Sequence, residues 1–200
     1  MYAEFNTDSY IIDRYFNNIT NGIMVEAGAG HPDHISMSKS FREAGWRTIC
    51  VEPNPHFVNL HRGRGNEIYP YALSYKNIQN HDFEIITAPQ TDEKDGLAFS
   101  AISVKYTGSE KLIKKIIKID IVTLDWLLDS LKISHIDFVS LDVEGWEIEA
   151  MRGFDTTRFG PSIILLENLK HESSYNEYMS SIGYKLSHRI QYNYIYEKNN

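Results

Sequence analysis

Ile23-Met-Val-Glu-Ala-Gly-Ala-Gly30 runs a short apolar segment straight into a glycine turn. Pro32 behind it is placed to open a helix that carries Met37, Phe41 and Ala44 and is closed by Gly45. Strand, glycine turn and helix in that order make the opening unit of an α/β sheet. Reading forward, Trp46 to Val51 is the second strand, and Asn54-Pro55 gives a cap and first-turn proline for a helix through Phe57, Val58 and Leu60. Glu67 to Leu73 is predicted as the third strand. Phe83 to Thr87 and Ile116 to Val122 alternate with period two and read as accessory strands, followed by a short helix over Leu124 to Leu131. Ile136 to Leu141 is the continuous apolar run expected of a central parallel strand buried on both faces, and it ends at Asp142. Gly145 to Arg152 is a helix stopped by Gly153, Ser162 to Leu166 a buried strand ending at Glu167, and Ser173 to Ile182 a helix stopped by Gly183. Tyr184 to Glu197 closes the chain as a hairpin. Reading backward, Asp8 is placed to cap a helix through Ile11, Ile12, Tyr15, Phe16 and Ile19, ended by Asn21-Gly22.

This alternation predicts a doubly wound, Rossmann-like α/β sheet, mostly parallel with an antiparallel C-terminal edge. At 200 residues the chain holds one sizeable core, so a single domain over 1–200 is expected. Within it lie an N-terminal helix at 8–20, a cofactor half at 22–75, accessory strands at 82–122 and a catalytic half at 124–200. Such sheets bind ligands at the carboxyl ends of their strands, where the Gly28 turn, Glu52, Asp142 and Glu167 all fall.

The net charge of -7 argues against a nucleic-acid partner, because phosphate binding needs clustered Lys and Arg. Lys111, Lys114, Lys115 and Lys118 are interrupted by aliphatics and read as a solvated edge. The lone Cys50, inside an apolar run, is a buried strand residue and excludes an intrachain disulfide or a cysteine zinc site. With no leader-like N-terminus and no apolar stretch near the roughly 20 residues that span a bilayer, the expectation is a soluble cytoplasmic protein without a membrane partner.

The two glycines permit close backbone approach, and Glu52 ends the next strand, where an acid can accept hydrogen bonds from both hydroxyls of a ribose. Together they point to an adenosine-containing cofactor. Nicotinamide dinucleotides use the same geometry, but their pyrophosphate needs a third glycine where this chain has His31-Pro32-Asp33-His34. Glu26, just before the glycines, would repel phosphate yet suits a methionine ammonium. No Lys stands four residues after Tyr71 or Tyr75, so the proton relay of a dehydrogenase is missing there as well.

Four segments resemble the FkbM methyltransferases: Met24-Val-Glu-Ala-Gly-Ala-Gly30, Val51-Glu-Pro-Asn-Pro55, Tyr71-Ala-Leu-Ser74 and Phe138-Val-Ser-Leu-Asp-Val-Glu-Gly145, the last being the most specific. Ile121-Val-Thr-Leu-Asp-Trp-Leu-Leu128 is similar to the family's lead-in, and the likeness runs from Asp8 to Glu167. The resemblance implies a class I methyltransferase fold with S-adenosylmethionine as cofactor. It implies that Glu26, Gly28 and Gly30 surround the methionine half, that Glu52 with Pro53 and Asn54 takes the ribose, that Ala72 and Leu73 flank the adenine, and that Asp142 and Val143 lie near the sulfonium. His31-Pro32 departs from the family, where many members continue with a small residue and glycine.

Methyl transfer to a hydroxyl needs a proton acceptor or a metal, whereas a nitrogen nucleophile needs only its lone pair. Asp142 is the first candidate, as base or orienting carboxylate, with Glu144 and His171 next; Asp142 alternatively caps the following helix. Asp142 with Glu167-Asn168 also forms an all-oxygen set suited to Mg²⁺ or Ca²⁺, similar in position to that of catechol-type methyltransferases. The alternative is that Glu167 and Asn168 bind substrate or cap a helix, and no residue is assigned as a metal ligand. His31, His34, His56, His61, His81, His135 and His188 share no metal-ligand spacing and read as surface or loop residues. By family analogy Ser100 and Ser103 face substrate. The expected function is methylation of a hydroxyl on a small molecule, sugars or glycans foremost. N-methylation and a catalytically silent nucleotide-binding scaffold are the alternatives. With no cap domain, the pocket is open or completed by a second subunit.

Overall fold

Alternate side chains of a strand face opposite sides of its sheet, and here that period sorts the core into two layers. In this computed structural model, which describes residues 1–87, 98–101 and 113–199, seven strands form the main sheet. They are β1 (Ile23–Ala27), β2 (Arg47–Val51), β3 (Ile68–Tyr69), β8 (Phe138–Leu141), β9 (Ile163–Glu167), β10 (Tyr184–Ile190) and β11 (Asn193–Lys198). Val25, Ala27, Ile49, Val51, Val139, Leu141, Ile164 and Leu166 face one way. They meet α4 (Leu124–Ser130), α5 (Glu147–Met151), α6 (Thr156–Phe159) and α7 (Ser174–Ser181) through Leu127, Leu128, Met151, Phe159 and Met179. Met24, Phe138 and Leu165 face the other way, onto Ile11 of α1 (Thr7–Tyr15) and Phe41 of α2 (Met37–Glu43). On that second face Phe16, Phe41, Trp46 and Phe138 interlock, with Phe41 stacked on Phe138 at 5.2 Å and edge-on to Trp46 at 5.0 Å. Cys50 packs with Val58 of α3 (Pro55–Gly63), buried as expected, and its thiol is pushed up to about 12 by that burial.

The strand order is β10-β11-β9-β8-β1-β2-β3, with β9, β8, β1, β2 and β3 parallel. The doubly wound expectation therefore holds, and the order reverses at β1, between β2 and β8. The closing hairpin differs in one respect: the last strand, β11, inserts beside β9, and β10 takes the edge. Burial gives the reason. Tyr194, Ile195 and Tyr196 of β11 are apolar enough to be covered on both faces, while β10 is exposed from Lys185 to Arg189.

Four expectations need correction. The predicted third strand is broken at Pro70, which has no N–H for a ladder, so β3 stays with β2 and β4 (Tyr71–Leu73) joins a second sheet. That sheet, β4-β7-β5-β6, consists of β4 with β5 (Ile78–Thr87), β6 (Ala98–Ala101) and β7 (Ile113–Val122), the accessory strands of the sequence reading. The second helix starts at Met37 and not at Pro32. Asp33 is drawn into ion pairs with Lys39 (3.2 Å) and Arg64, Arg42 donates to the Pro32 carbonyl at 3.2 Å, and Ile35 sits at φ +53°, outside helical space. The first helix ends at Tyr15, and Asp8 lies inside it, not at its cap. The buried Asp8 carboxylate accepts instead from the Tyr2 N–H (2.8 Å) and the Ser40 hydroxyl, tying α1 to the N-terminal segment and to α2. A short helix, α6, was not foreseen; its cap Asp155 accepts from Thr157 N–H at 2.9 Å. Ser103 and the side chain of Ser100 lie outside the described residues. Among the described residues no helix is long and apolar enough to cross a membrane.

Candidate active site

Parallel register brings the acids to one rim. Ala27 is level with Val51 on one side and Leu141 on the other, and Leu141 is level with Leu166. The next residues, Gly28, Glu52 and Asp142, therefore leave the sheet together at the carboxyl ends of their strands, and Glu167 ends β9 beside them. An open cavity lies there, lined among others by Glu26, Gly28, Ser140 and Asp142. Ala3, Glu4 and Thr7 from the N-terminal segment cover one side of it, and Ile35 and Met37 another.

Gly28 is obligatory at this junction. It holds φ +75°, and a Cβ built on it would stand 1.7 Å from the backbone oxygen of Asp142. Two buried acids organise the turn around it. Glu26 accepts the N–H groups of Met37 (2.8 Å) and Ser38 (3.2 Å), so a β1 side chain caps α2 where Ser36 provides no side-chain bond. Glu52 accepts from Gly30 N–H at 3.1 Å and Asn54 N–H at 2.7 Å; Asn54 in turn caps α3, as the sequence predicts, by accepting from His56 N–H at 3.0 Å. Burial pushes both carboxyls up, Glu52 to about 7, against the pull of those N–H donors.

His61 is another correction: it is fully buried, not on the surface. Its Nδ1 accepts from the Asn66 amide at 3.3 Å, so Nε2 carries the proton and donates to the Gly30 carbonyl at 3.2 Å. Burial, with Arg42 nearby, pushes its pKa down to about 4, so the ring stays neutral and holds the glycine turn from behind.

On the β8–β9 side the acids face one another. Oxygens of Asp142, Glu147 and Glu167 lie within 4.8 Å of each other. Asp142 keeps solvent access through the cavity mouth, yet surrounding protein and the neighbouring carboxylates push it up to about 6. Glu167, 9% exposed, is raised to about 10 by burial and by Asp142, so this pair shares a proton. Glu144, at φ +59°, is raised to about 7 by burial, then by Asp142 and Glu147. Every charged neighbour acting on Glu144 is thus another acid.

Several sequence-predicted residues stand apart from the cavity. Ala72 and Leu73 are buried in the core at β4, near Ser74, whose hydroxyl accepts from the Trp146 indole at 3.2 Å. Val143 packs against the main core, and Pro53 is half-buried. His171 is exposed and does not line the cavity: its Nδ1 bonds the Tyr194 hydroxyl at 3.0 Å and Nε2 faces Arg189 at 3.4 Å. Asn168 serves the turn after β9, its Oδ1 accepting Glu172 N–H and its Nδ2 donating to Glu172 O, both at 3.0 Å. Those bonds close the turn before α7, whose cap position is Ser173, and they engage the Asn168 side chain that the sequence grouped with Asp142 and Glu167. Glu147, which takes its place in the cluster, already accepts three hydrogen bonds, from Val143 N–H, Gly145 N–H and the Tyr175 hydroxyl, and no metal is assigned to these oxygens. Glu147 and Tyr175 are what the sequence reading missed; the only signal was Glu147 itself, three residues beyond Glu144 in Glu144-Gly-Trp-Glu147.

A strand-end acid on each side of one glycine turn is the arrangement that the motifs implied, and comparison with known families bears on it directly. The family model described as Methyltransferase FkbM domain matches residues 26–192. The chain belongs to the FkbM methyltransferase family. As a member it is a methyltransferase, and the family implies S-adenosylmethionine as the methyl donor. Among solved structures it is similar to a precorrin-6y C5,15-methyltransferase from Geobacter metallireducens GS-15, at 13% identity and a TM-score of 0.48, over 100% of this chain and 94% of that one. No curated protein matches the chain significantly.

Proposed function

We propose that this FkbM methyltransferase transfers the methyl group to a hydroxyl of a small-molecule acceptor, a sugar or glycan hydroxyl being the leading class. The observation that carries the reading is the Asp142, Glu144 and Glu167 cluster beside the glycine turn, whose carboxyls are raised toward or beyond neutral pH. A nitrogen acceptor needs no such group; a hydroxyl must lose a proton as its oxygen attacks. S-adenosylmethionine supplies a methyl carbon made electrophilic by its sulfonium. The Gly28 turn and Glu26 frame the methionine half, Glu52 accepts from the ribose hydroxyls, and Asp142 orients the acceptor hydroxyl and takes its proton. Carboxylates facing the sulfonium also favour a cationic donor over a pyrophosphate-bearing one.

Calorimetric titration with S-adenosylmethionine, S-adenosylhomocysteine and NAD tests the cofactor assignment. Wild-type protein is expected to bind the first two and not the third, and Glu52→Ala to lose that binding. Preference for NAD, or undiminished binding by the variant, overturns it. A screen of alcohols and amines with a labelled methyl donor then decides between oxygen and nitrogen.

A further inference from the structure

Asp142 and Glu144 stand on a turn that the backbone would not adopt unaided. Glu144 (φ +59°) and Gly145 (φ +86°) are consecutive residues in the left-handed region, a conformation that costs free energy for the glutamate and persists only when its surroundings impose it. Glu147 imposes it. Its side chain is fully buried, and one carboxylate oxygen accepts both Val143 N–H (2.9 Å) and Gly145 N–H (3.1 Å). The other oxygen accepts from the Tyr175 hydroxyl at 2.6 Å, which ties the turn to α7. Two amides converging on one oxygen fix the path of the chain between Asp142 and Trp146. That same path places the Asp142 carbonyl against Gly28, where no Cβ fits.

We propose that Glu147, held by Tyr175, is the positioning residue of this site: it shapes the 142–146 turn and thereby sets Asp142 against the glycine turn where the methyl donor binds. The inference rests on the cofactor reading above, and it goes beyond a reach-back contact that only closes the start of α5, because a closure alone would leave ligand binding untouched.

The test compares Glu147→Ala, Glu147→Gln, Tyr175→Phe and, as a control for lost stability, Met151→Ala, which opens a buried space on the same helix. Amide proton shifts and affinity for S-adenosylmethionine are read on each. In Glu147→Ala the Val143 and Gly145 amide signals move to higher field and affinity falls about tenfold or more, as expected for orphaned buried donors. Glu147→Gln, whose carbonyl oxygen still accepts both amides, recovers most of both. Tyr175→Phe, which keeps the fold even if the alanine variant does not, shifts the same two signals in the same direction and weakens binding about threefold. Met151→Ala loses thermal stability but keeps wild-type affinity. Unmoved amide signals in Tyr175→Phe, or affinity that tracks thermal stability across all four variants, overturns the proposal. If wild-type protein binds no S-adenosylmethionine, the cofactor reading fails separately, and the amide signals alone decide whether Glu147 holds the turn.

Discussion

The two halves of the strand-end rim use the same residue type in opposite ways. Beside β1 and β2 each buried acid is spent on backbone: Glu26 takes two N–H groups of α2, and Glu52 takes those of Gly30 and Asn54. Beside β8 and β9 only Glu147 is so engaged, while Asp142, Glu144 and Glu167 stand close together and are raised in pKa by burial first and by neighbouring acids second. An acid satisfied by amides is a frame that keeps its shape whether or not ligand is present. An acid opposed by other acids is poised to exchange a proton. The difference teaches that a cofactor half can be rigid and a catalytic half polarised within one sheet, because hydrogen-bond satisfaction, not residue identity, decides what a carboxylate does.

The largest effect expected is that of Gly28→Ala at the seam between the halves. With the Asp142 backbone oxygen 1.7 Å from the new Cβ, strands β1 and β8 must part, and a loss of several kcal/mol is expected; urea unfolding and cofactor titration should both show it. Next comes a direct contrast. Glu26→Ala leaves two N–H donors of α2 without their cap and should cost about 2–3 kcal/mol. Asp142→Asn, measured by the same unfolding curves, should leave stability unchanged or raise it while lowering methyl transfer by about 10²–10⁴. A stability loss at Asp142 equal to that at Glu26 would break the comparison.

A pH profile sharpens it further. Asp142 is raised to about 6 and Glu144 to about 7, so the native state holds more protons than the unfolded chain between about pH 4.5 and pH 7. Their contribution to stability is fully present below the unfolded value and is lost as pH rises through 6 to 7. The urea midpoint of wild type relative to an Asp142→Asn, Glu144→Gln double variant should therefore fall over that window. A flat difference would show that the fold does not raise the Asp142 and Glu144 carboxyls. The smallest effect is expected at Ile35, a β-branched residue at φ +53° on the cavity edge. Ile35→Gly relieves that strain and should raise stability by about 1 kcal/mol, read as a higher melting temperature.

Much of this was legible in the residues. The glycine turn after an apolar run, Glu52 at the next strand end and the Phe138 to Gly145 segment located the rim, because parallel strands of similar length bring their carboxyl ends level. Asn54-Pro55 announced its helix through a local cap that needs no tertiary partner. Asp8 and Pro32 failed as guides for the opposite reason. The helices after them are organised by distant groups, Tyr2 and Ser40 around Asp8 and Glu26 across from the start of α2. In the sequence Ala72 and Leu73 read as the end of the third strand, but the break at Pro70 carries them into a second sheet and a buried setting.

By itself the sequence determined the alternation of strand and helix, the family and the acids at the strand ends, since these follow from local periodicity and short motifs. Only the tertiary structure decided what each acid does. Whether a carboxylate is satisfied by amides, like Glu26, Glu52 and Glu147, or left to share a proton, like Asp142 and Glu167, depends on which backbone groups the fold brings within about 3 Å of it, and sequence spacing does not carry that distance.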